Sequence, residues 1–266
     1  MVTGLSEEWG GTGWDSQARS VDGRWVERRP RRPEVAARLL METRLMPWLA
    51  QRLPLPVPIP HVLRQEPLVV RHEMVAGEPL AAFDAAGGRT LGAFLRALHA
   101  TGPAQAVRRG APSAREALRD RAATLEDFGI RVMPLLPDDR RGAAWALLDA
   151  VAASPADALV HGDLGPEHVL ARNGVVSGVI DFGDAHVGDP ALDLAWALHG
   201  APPLFARAVA AEYGAAPDLV ERALLWHRLG PWHEVTYGLD TGDPDTVRSG
   251  LGGVLARLPR RACETA

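Results

Sequence analysis

Asp163, His168 and Asp181 are the residues of this chain whose types and spacing are best suited to chemistry. The first two stand five residues apart, directly after the apolar run Ala158–Val160. A second apolar stretch, Val169–Arg172, leads to Asn173-Gly174, and a third, residues 175–180, ends at Asp181-Phe182-Gly183. Asn-Gly between β-branched runs is a strong short-range hairpin signal. The turn folds the chain back and lets Asp163, His168 and Asp181 converge at one end of the hairpin. Two carboxylates and an imidazole gathered there are groups that accept protons and hold cations.

The order of these residues resembles that of protein kinases, which place a base Asp, a metal ligand five residues later, and a metal-binding Asp-Phe-Gly. The details are closer to another branch of that superfamily. His161-Gly162-Asp163, with Gly188-Asp189-Pro190-Ala191-Leu192-Asp193 downstream, resembles the aminoglycoside phosphotransferases and related small-molecule kinases. His at position 168 and Ile180-Asp181-Phe182-Gly183-Asp184 are similar to the 2''-aminoglycoside phosphotransferases, and macrolide phosphotransferases also carry His there. The core motif covers about 35 residues, with weaker family-like features along most of the chain.

The resemblance implies roles. Asp163 is the catalytic residue that accepts the hydrogen bond and proton of a substrate hydroxyl, and His168 and Asp181 hold metal. In the family, a Lys or Arg on the third strand holds the nucleotide phosphates and a Glu of the next helix orients it. Trp25-Val26-Glu27-Arg28-Arg29-Pro30 resembles that strand and Met41-Glu42-Thr43-Arg44-Leu45 the helix, which makes Arg28 the basic group and Glu42 its partner. Glu27 and Arg29 replace the apolar flanks usual in relatives, so Arg31 and Glu34 stay open as alternatives. The Glu73 carbonyl and Val75 N–H would meet the nucleotide base, with His72 limiting the depth of its pocket. Asp193 braces the catalytic loop.

Two features of composition bear on these roles. The 29 basic residues are all arginine, and Asn173 is the single asparagine. The phosphate-holding group is therefore an Arg, and the Asn that most relatives carry at position 168 is replaced by His. A guanidinium is a broad planar fork where an ammonium is a point charge. Mg²⁺ prefers oxygen and imidazole suits softer ions. His168 then binds one metal weakly, favours Mn²⁺, or acts through a water. The expected cofactor is Mg²⁺ or Mn²⁺, with ATP or GTP as co-substrate.

Around this centre the chain must supply a scaffold. Gly10-Gly11-Thr12-Gly13-Trp14-Asp15-Ser16 is a glycine-rich loop whose backbone can approach phosphate oxygens, with Gly11, Gly13 and Ser16 as the nucleotide-binding candidates. A hairpin follows, with strands at 17–21 and 24–29 around Asp22-Gly23, and then a helix over 34–49. The proline-rich stretch 53–60 is a connector, residues 68–75 a buried strand, and residues 76–80 a hinge. The remainder reads as helices at 91–100, 113–127, 139–153, 203–213, 218–229 and 244–258. His99 reads as structural. The expected fold is α+β and bilobal, protein-kinase-like, with a small antiparallel-sheet lobe over residues 1–76 and a larger, mainly helical lobe over 77–266.

At 266 residues the chain is long enough for two lobes and a cleft. Its 47% hydrophobic and 23% charged residues describe a globular protein, and Cys263, its single cysteine, excludes a disulfide framework. Neither a signal peptide nor a run of roughly 20 apolar residues is present, so a cytoplasmic location is expected. A net charge of −4 argues against nucleic acid and for a cationic small-molecule partner. No membrane role is expected, and the working state is a monomer or weak dimer. An aminoglycoside would need carboxylates from the helical lobe. Glu167, Asp184 and Glu234 are the substrate candidates, with Glu212 and Asp240 behind them. A macrolide, a peptide antibiotic or a metabolic alcohol would use the same catalytic half, and a nucleotide-binding protein with little catalysis is the second class.

Overall fold

The computed structural model describes Trp9 and residues 16–259. An antiparallel hairpin opens the described chain, β1 (Ser16–Val21) with β2 (Trp25–Pro30), in the register Ser16↔Pro30 to Val21↔Trp25. Asp22 leads its turn with φ of 53°, as Asn173 does in the second hairpin with the same φ. Short polar side chains tolerate this left-handed region, and the resulting turns match the twist of paired strands. Helix α1 (Pro33–Leu49) follows, then β3 (His61–Arg64) and β4 (Val69–Glu73), giving a sheet in the order β1-β2-β4-β3. Strand β3, on the sheet's edge and exposed throughout, was not anticipated from the proline-rich sequence before it.

Strand alternation separates the faces of β2. Glu27 is buried between Arg19 of β1 and Arg71 of β4, its register partners on either side. Arg19 donates to Glu27 Oε2 at 2.9 and 2.7 Å, and Arg71 Nε donates to Oε1 at 3.0 Å. Burial alone would raise the Glu27 carboxyl, but the two guanidiniums hold it below its usual value. Glu27, one charged flank of Arg28, thus sits in an ion-paired ladder across three strands, and Arg29, the other, donates to the Gln17 side chain of β1. Arg28, one residue on, projects to the opposite face.

Helix α1 carries apolar residues into two clusters. Val35 and Leu39 pack with Val70 beneath the sheet, while Met41, Leu45, Met46 and Leu49 join the main core of the helical part. The connector reaches β5 (Glu78–Pro79) and then α2 (Ala85–His99), α3 (Pro103–Val107), α4 (Ala114–Arg131) and α5 (Asp138–Ala152), with a single 3-10 turn before α5. Next come β6 (Ala158–Val160), β7 (Val169–Arg172), β8 (Val175–Val179) and β9 (His186–Gly188), forming the small antiparallel sheets β5-β7-β8 and β6-β9. Helices α6 (Ala191–His199), α7 (Pro203–Tyr213), α8 (Pro217–Thr241) and α9 (Pro244–Arg257) complete the molecule. Helix α8 runs through Gly230-Pro231, where the sequence reading stopped, because Trp232 and Val235 beyond the proline are fully buried. Trp226 and Trp232 therefore belong to the core. No helix among the described residues is long and apolar enough to cross a membrane.

Candidate active site

The residues 161–168 leave β6 as an irregular loop and are fixed from below by Asp193 in the first turn of α6. Asp193 accepts from the backbone N–H groups of His161 at 2.7 Å and Gly162 at 3.0 Å. His99 of α2 reaches Asp193 Oδ2 through Nε2 at 3.0 Å, and its Nδ1 meets the Tyr213 hydroxyl at 2.9 Å. Burial would raise the Asp193 carboxyl, yet the His99 bond and the neighbouring imidazoles hold it below the carboxylate range.

Local geometry explains the glycine of His-Gly-Asp. Gly162 has φ of 89°, and a Cβ there would lie 2.3 Å from the Asp184 carbonyl oxygen. No side chain fits where the loop after Asp181 crosses the catalytic loop. His161 stitches the same loops from the other side: its Nε2 contacts the Ile180 carbonyl at 2.9 Å while Nδ1 accepts from Asp163 N–H at 3.3 Å. Its ring packs on buried Phe182, centroids 4.7 Å apart. This role of His161 was not anticipated; an invariant-looking neighbour of an Asp gives no sign of which backbone groups it ties.

These contacts bring Asp163, His168 and Asp181 together at the end of the β7–β8 hairpin. His168 Nδ1 lies 2.7 Å from the Asp163 carbonyl oxygen, so that nitrogen carries a proton and Nε2 is the nitrogen turned toward Asp181. Nε2 stands 3.9 Å from Asp181 Oδ2. Imidazoles that ligate metals are held in this way, with the remote nitrogen bonded to a carbonyl. Among the described residues no group of three or more His, Cys, Asp and Glu is disposed to enclose a metal, so a cation here would rest on this nitrogen–oxygen pair and on other ligands. Asp181 adopts φ of 65°, an uncommon conformation for a residue with a side chain. Burial would raise its carboxyl, but Arg28 first and His168 next hold it low. Asp163 is shifted the other way: burial raises it, against the pull of His168.

Across the cleft, Arg28 NH1 meets both Glu42 oxygens at 3.1 and 3.0 Å, its Nε donates to Ser16 Oγ at 3.2 Å, and NH2 stands 3.6 Å from Asp181 Oδ1. Glu42 is buried, which pushes its carboxyl up despite Arg28. Gly11 and Gly13 lie outside the described residues. At the end of β4, the Glu73 side chain pairs with Arg24 at 2.7 Å, and its carbonyl takes a 2.8 Å contact from His72 Nδ1. His72 is buried, which lowers its pKa to about 4 and keeps the ring neutral. Val75 is buried against Gly178.

The substrate candidates divide. Glu167 is exposed on the catalytic loop and its carboxylate folds over Gly165. Asp184 contributes to the field at both Asp163 and Glu42, and its Oδ1 is 2.7 Å from Arg38 NH1 of α1. Arg38 was not singled out in the sequence, since one arginine on an Arg-rich helix carries no mark. Glu234 is exposed on α8, its charge felt by Arg257, and among the described residues no hydrogen bond or ion pair links it to the cluster. Glu212 and Asp240 are held by Arg96 at 2.9 Å and Arg131 at 2.6 Å.

A family model described as "Phosphotransferase enzyme family" matches residues 11–232. Viomycin phosphotransferase of Streptomyces vinaceus is 34% identical over 175 residues, which is 62% of this chain and 59% of that protein. The uncharacterized protein YcbJ of Bacillus subtilis (strain 168) is 30% identical over 196 residues, 64% of this chain and 60% of that protein. The chain thus spans about three fifths of the length of these curated relatives. Among solved structures, the GDP and kanamycin complex of an APH(2") enzyme superposes with a TM-score of 0.82 at 25% identity, over 97% of this chain and 93% of that one. Macrolide 2'-phosphotransferase type I superposes with a TM-score of 0.73 at 26% identity, over 92% and 89%.

Proposed function

This chain belongs to the phosphotransferase enzyme family, and on that premise we propose that it transfers the γ-phosphate of ATP or GTP to a hydroxyl of an aminoglycoside-like antibiotic. Its α+β fold, an N-terminal antiparallel sheet and a mainly helical remainder, is that of kinase-like phosphotransferase structures. The observation that carries the proposal is the convergence of Asp163, His168 and Asp181 opposite the Arg28–Glu42 pair.

Phosphoryl transfer asks little covalent chemistry of a protein, so positioning and charge neutralisation dominate. In our reading the lobes are residues 1–76 and 77–266, and the nucleotide lies between them with its base on the Glu73 carbonyl and Val75 N–H. Arg28, aligned by Glu42 and Ser16, holds phosphate oxygens together with the backbone of Gly11 and Gly13. His168 Nε2 and Asp181 would hold a divalent cation, Mg²⁺ or Mn²⁺, which when bound offsets phosphate charge. Asp163 accepts the hydrogen bond of the acceptor hydroxyl, orients its lone pair, and takes the proton as the phosphorus–oxygen bond forms. Partial desolvation raises the Asp163 carboxyl, although its side chain is still 63% exposed, and makes it a stronger base than a free aspartate. Glu167 and Asp184 are the carboxylates we assign to a cationic acceptor.

A peptide antibiotic is the second reading, favoured by the 34% identity with viomycin phosphotransferase. The test is transfer of labelled γ-phosphate from ATP and from GTP to kanamycin, gentamicin, viomycin and a macrolide, with Asp163→Asn beside the native chain. Product that forms on one antibiotic and vanishes with Asp163→Asn supports the reading. Product formed equally well by the variant would overturn it.

A further inference from the structure

We propose that Arg38 is a second phosphate-binding residue, stored on Asp184 and drawn from it by the triphosphate in an exchange of anions. The inference rests on the nucleotide-binding reading above. Its starting point is how heavily Arg28 is committed. NH1 faces both oxygens of Glu42, Nε is spent on Ser16 Oγ, and NH2 is turned to Asp181, with the side chain 15% exposed. A guanidinium has five N–H donors in a fixed fork, and three of them serve protein oxygens in this arrangement. A triphosphate carries several negative charges, and a chain without lysine must meet them with other guanidiniums.

Arg38 is placed to do so. It precedes Glu42 by one helical turn, and residues four apart share a helix face, so it looks toward the same loop of Asp181 and Asp184. Its NH1 lies 2.7 Å from Asp184 Oδ1, and the two side chains are 47% and 45% exposed. Half-exposed ion pairs add little net stability, so one anion replaces another at small cost. Asp163, Asp181, Asp184 and Glu42 interact with one another in this cluster, and the arginines paired with them are Arg28 and Arg38. Asp184 therefore competes with phosphate for Arg38, and removing either partner has opposite consequences for the nucleotide.

That opposition is the test. Dissociation constants for ATP, GTP and their parent nucleosides are measured by calorimetry with excess chelator, so that only the protein's own charges act on the phosphates. Arg38→Ala is expected to weaken triphosphate binding about tenfold, and Arg38→Lys less. Asp184→Asn is expected to tighten it severalfold, and the double variant to match Arg38→Ala, because the gain needs a released Arg38. Nucleoside affinity stays at the native value throughout, and melting temperatures near the native one establish that each variant is folded. Native triphosphate affinity in Arg38→Ala overturns the proposal. So does a gain from Asp184→Asn that persists in the double variant, which would be simple loss of repulsion. So does weakening by both single variants, the mark of a tether between α1 and the loop. A native chain that binds no triphosphate, with or without metal, overturns the nucleotide reading along with this one. A native chain that binds while the variants behave additively overturns the Arg38 assignment alone.

Discussion

Asp163 and Asp181 face one imidazole yet are shifted in opposite senses, the first raised by burial and the second held down by Arg28 and His168. A base raised from the ordinary aspartate value gives a definite pH profile. Asp163 must be deprotonated to accept the hydroxyl proton, so kcat/KM is expected to fall as pH drops through a midpoint above about 4, the ordinary Asp value. An acid limb at or below that value would contradict the assignment. Asp163→Asn should cost about 10²- to 10⁴-fold in kcat with nucleotide affinity retained, read by steady-state kinetics and calorimetry together. His168→Asn replaces a nitrogen donor with an amide oxygen, and the ratio of Mg²⁺- to Mn²⁺-supported rates should rise severalfold. At this scale the sequence was informative where residue type is itself unusual. An Asp-Phe-Gly after an apolar run, a hairpin Asn-Gly and the absence of lysine all leave marks. Arg38 and His161 leave none, because their roles depend on which loop lies opposite, and that is decided by packing.

The elements hold the loop through groups buried far from the cleft mouth. Asp193 is fully buried with two backbone donors and His99 as partners. Asp193→Ala leaves these unpaired and should destabilise the chain by about 3–5 kcal/mol in denaturant unfolding. Because the folded carboxyl is held below its unfolded value, the stability it contributes is present above about pH 4 and is lost as pH falls through the folded pKa. The Asp193→Ala variant should therefore show a weaker loss of stability on acidification than the native chain. Helix positions with apolar periodicity were legible, and their ends were less so. Helix α2 begins at Ala85, six residues before the periodic run, and passes through Gly87-Gly88. In the fold, a Cβ at Gly88 would lie 2.6 Å from the Phe205 carbonyl of α7, so close helix packing requires the glycine. The exposed edge strand β3 carried no alternation because neither of its faces is covered.

The whole molecule places its candidate site residues on both sides of a connector, and α1 contributes to both hydrophobic clusters. A nucleotide that engages both sides stabilises the native state by mass action. At a hundredfold excess over Kd this is about 2.7 kcal/mol, which for a chain of this size is a rise of roughly 5–10 °C in Tm. Thermal scans against ATP and GTP should show that rise with at least one of them, growing with concentration, and a flat response to both would contradict a nucleotide site.

The guanidinium at position 28 also fixes what can label this protein. Covalent probes of nucleotide sites commonly acylate, or form an imine with, the ammonium side chain that faces the phosphates. Here that side chain is an arginine whose nitrogens are delocalised and permanently protonated, and no lysine exists elsewhere in the chain to react instead. Acyl-phosphate nucleotides and salicylaldehyde inhibitors, which need a lysine amine, would find none in this cleft.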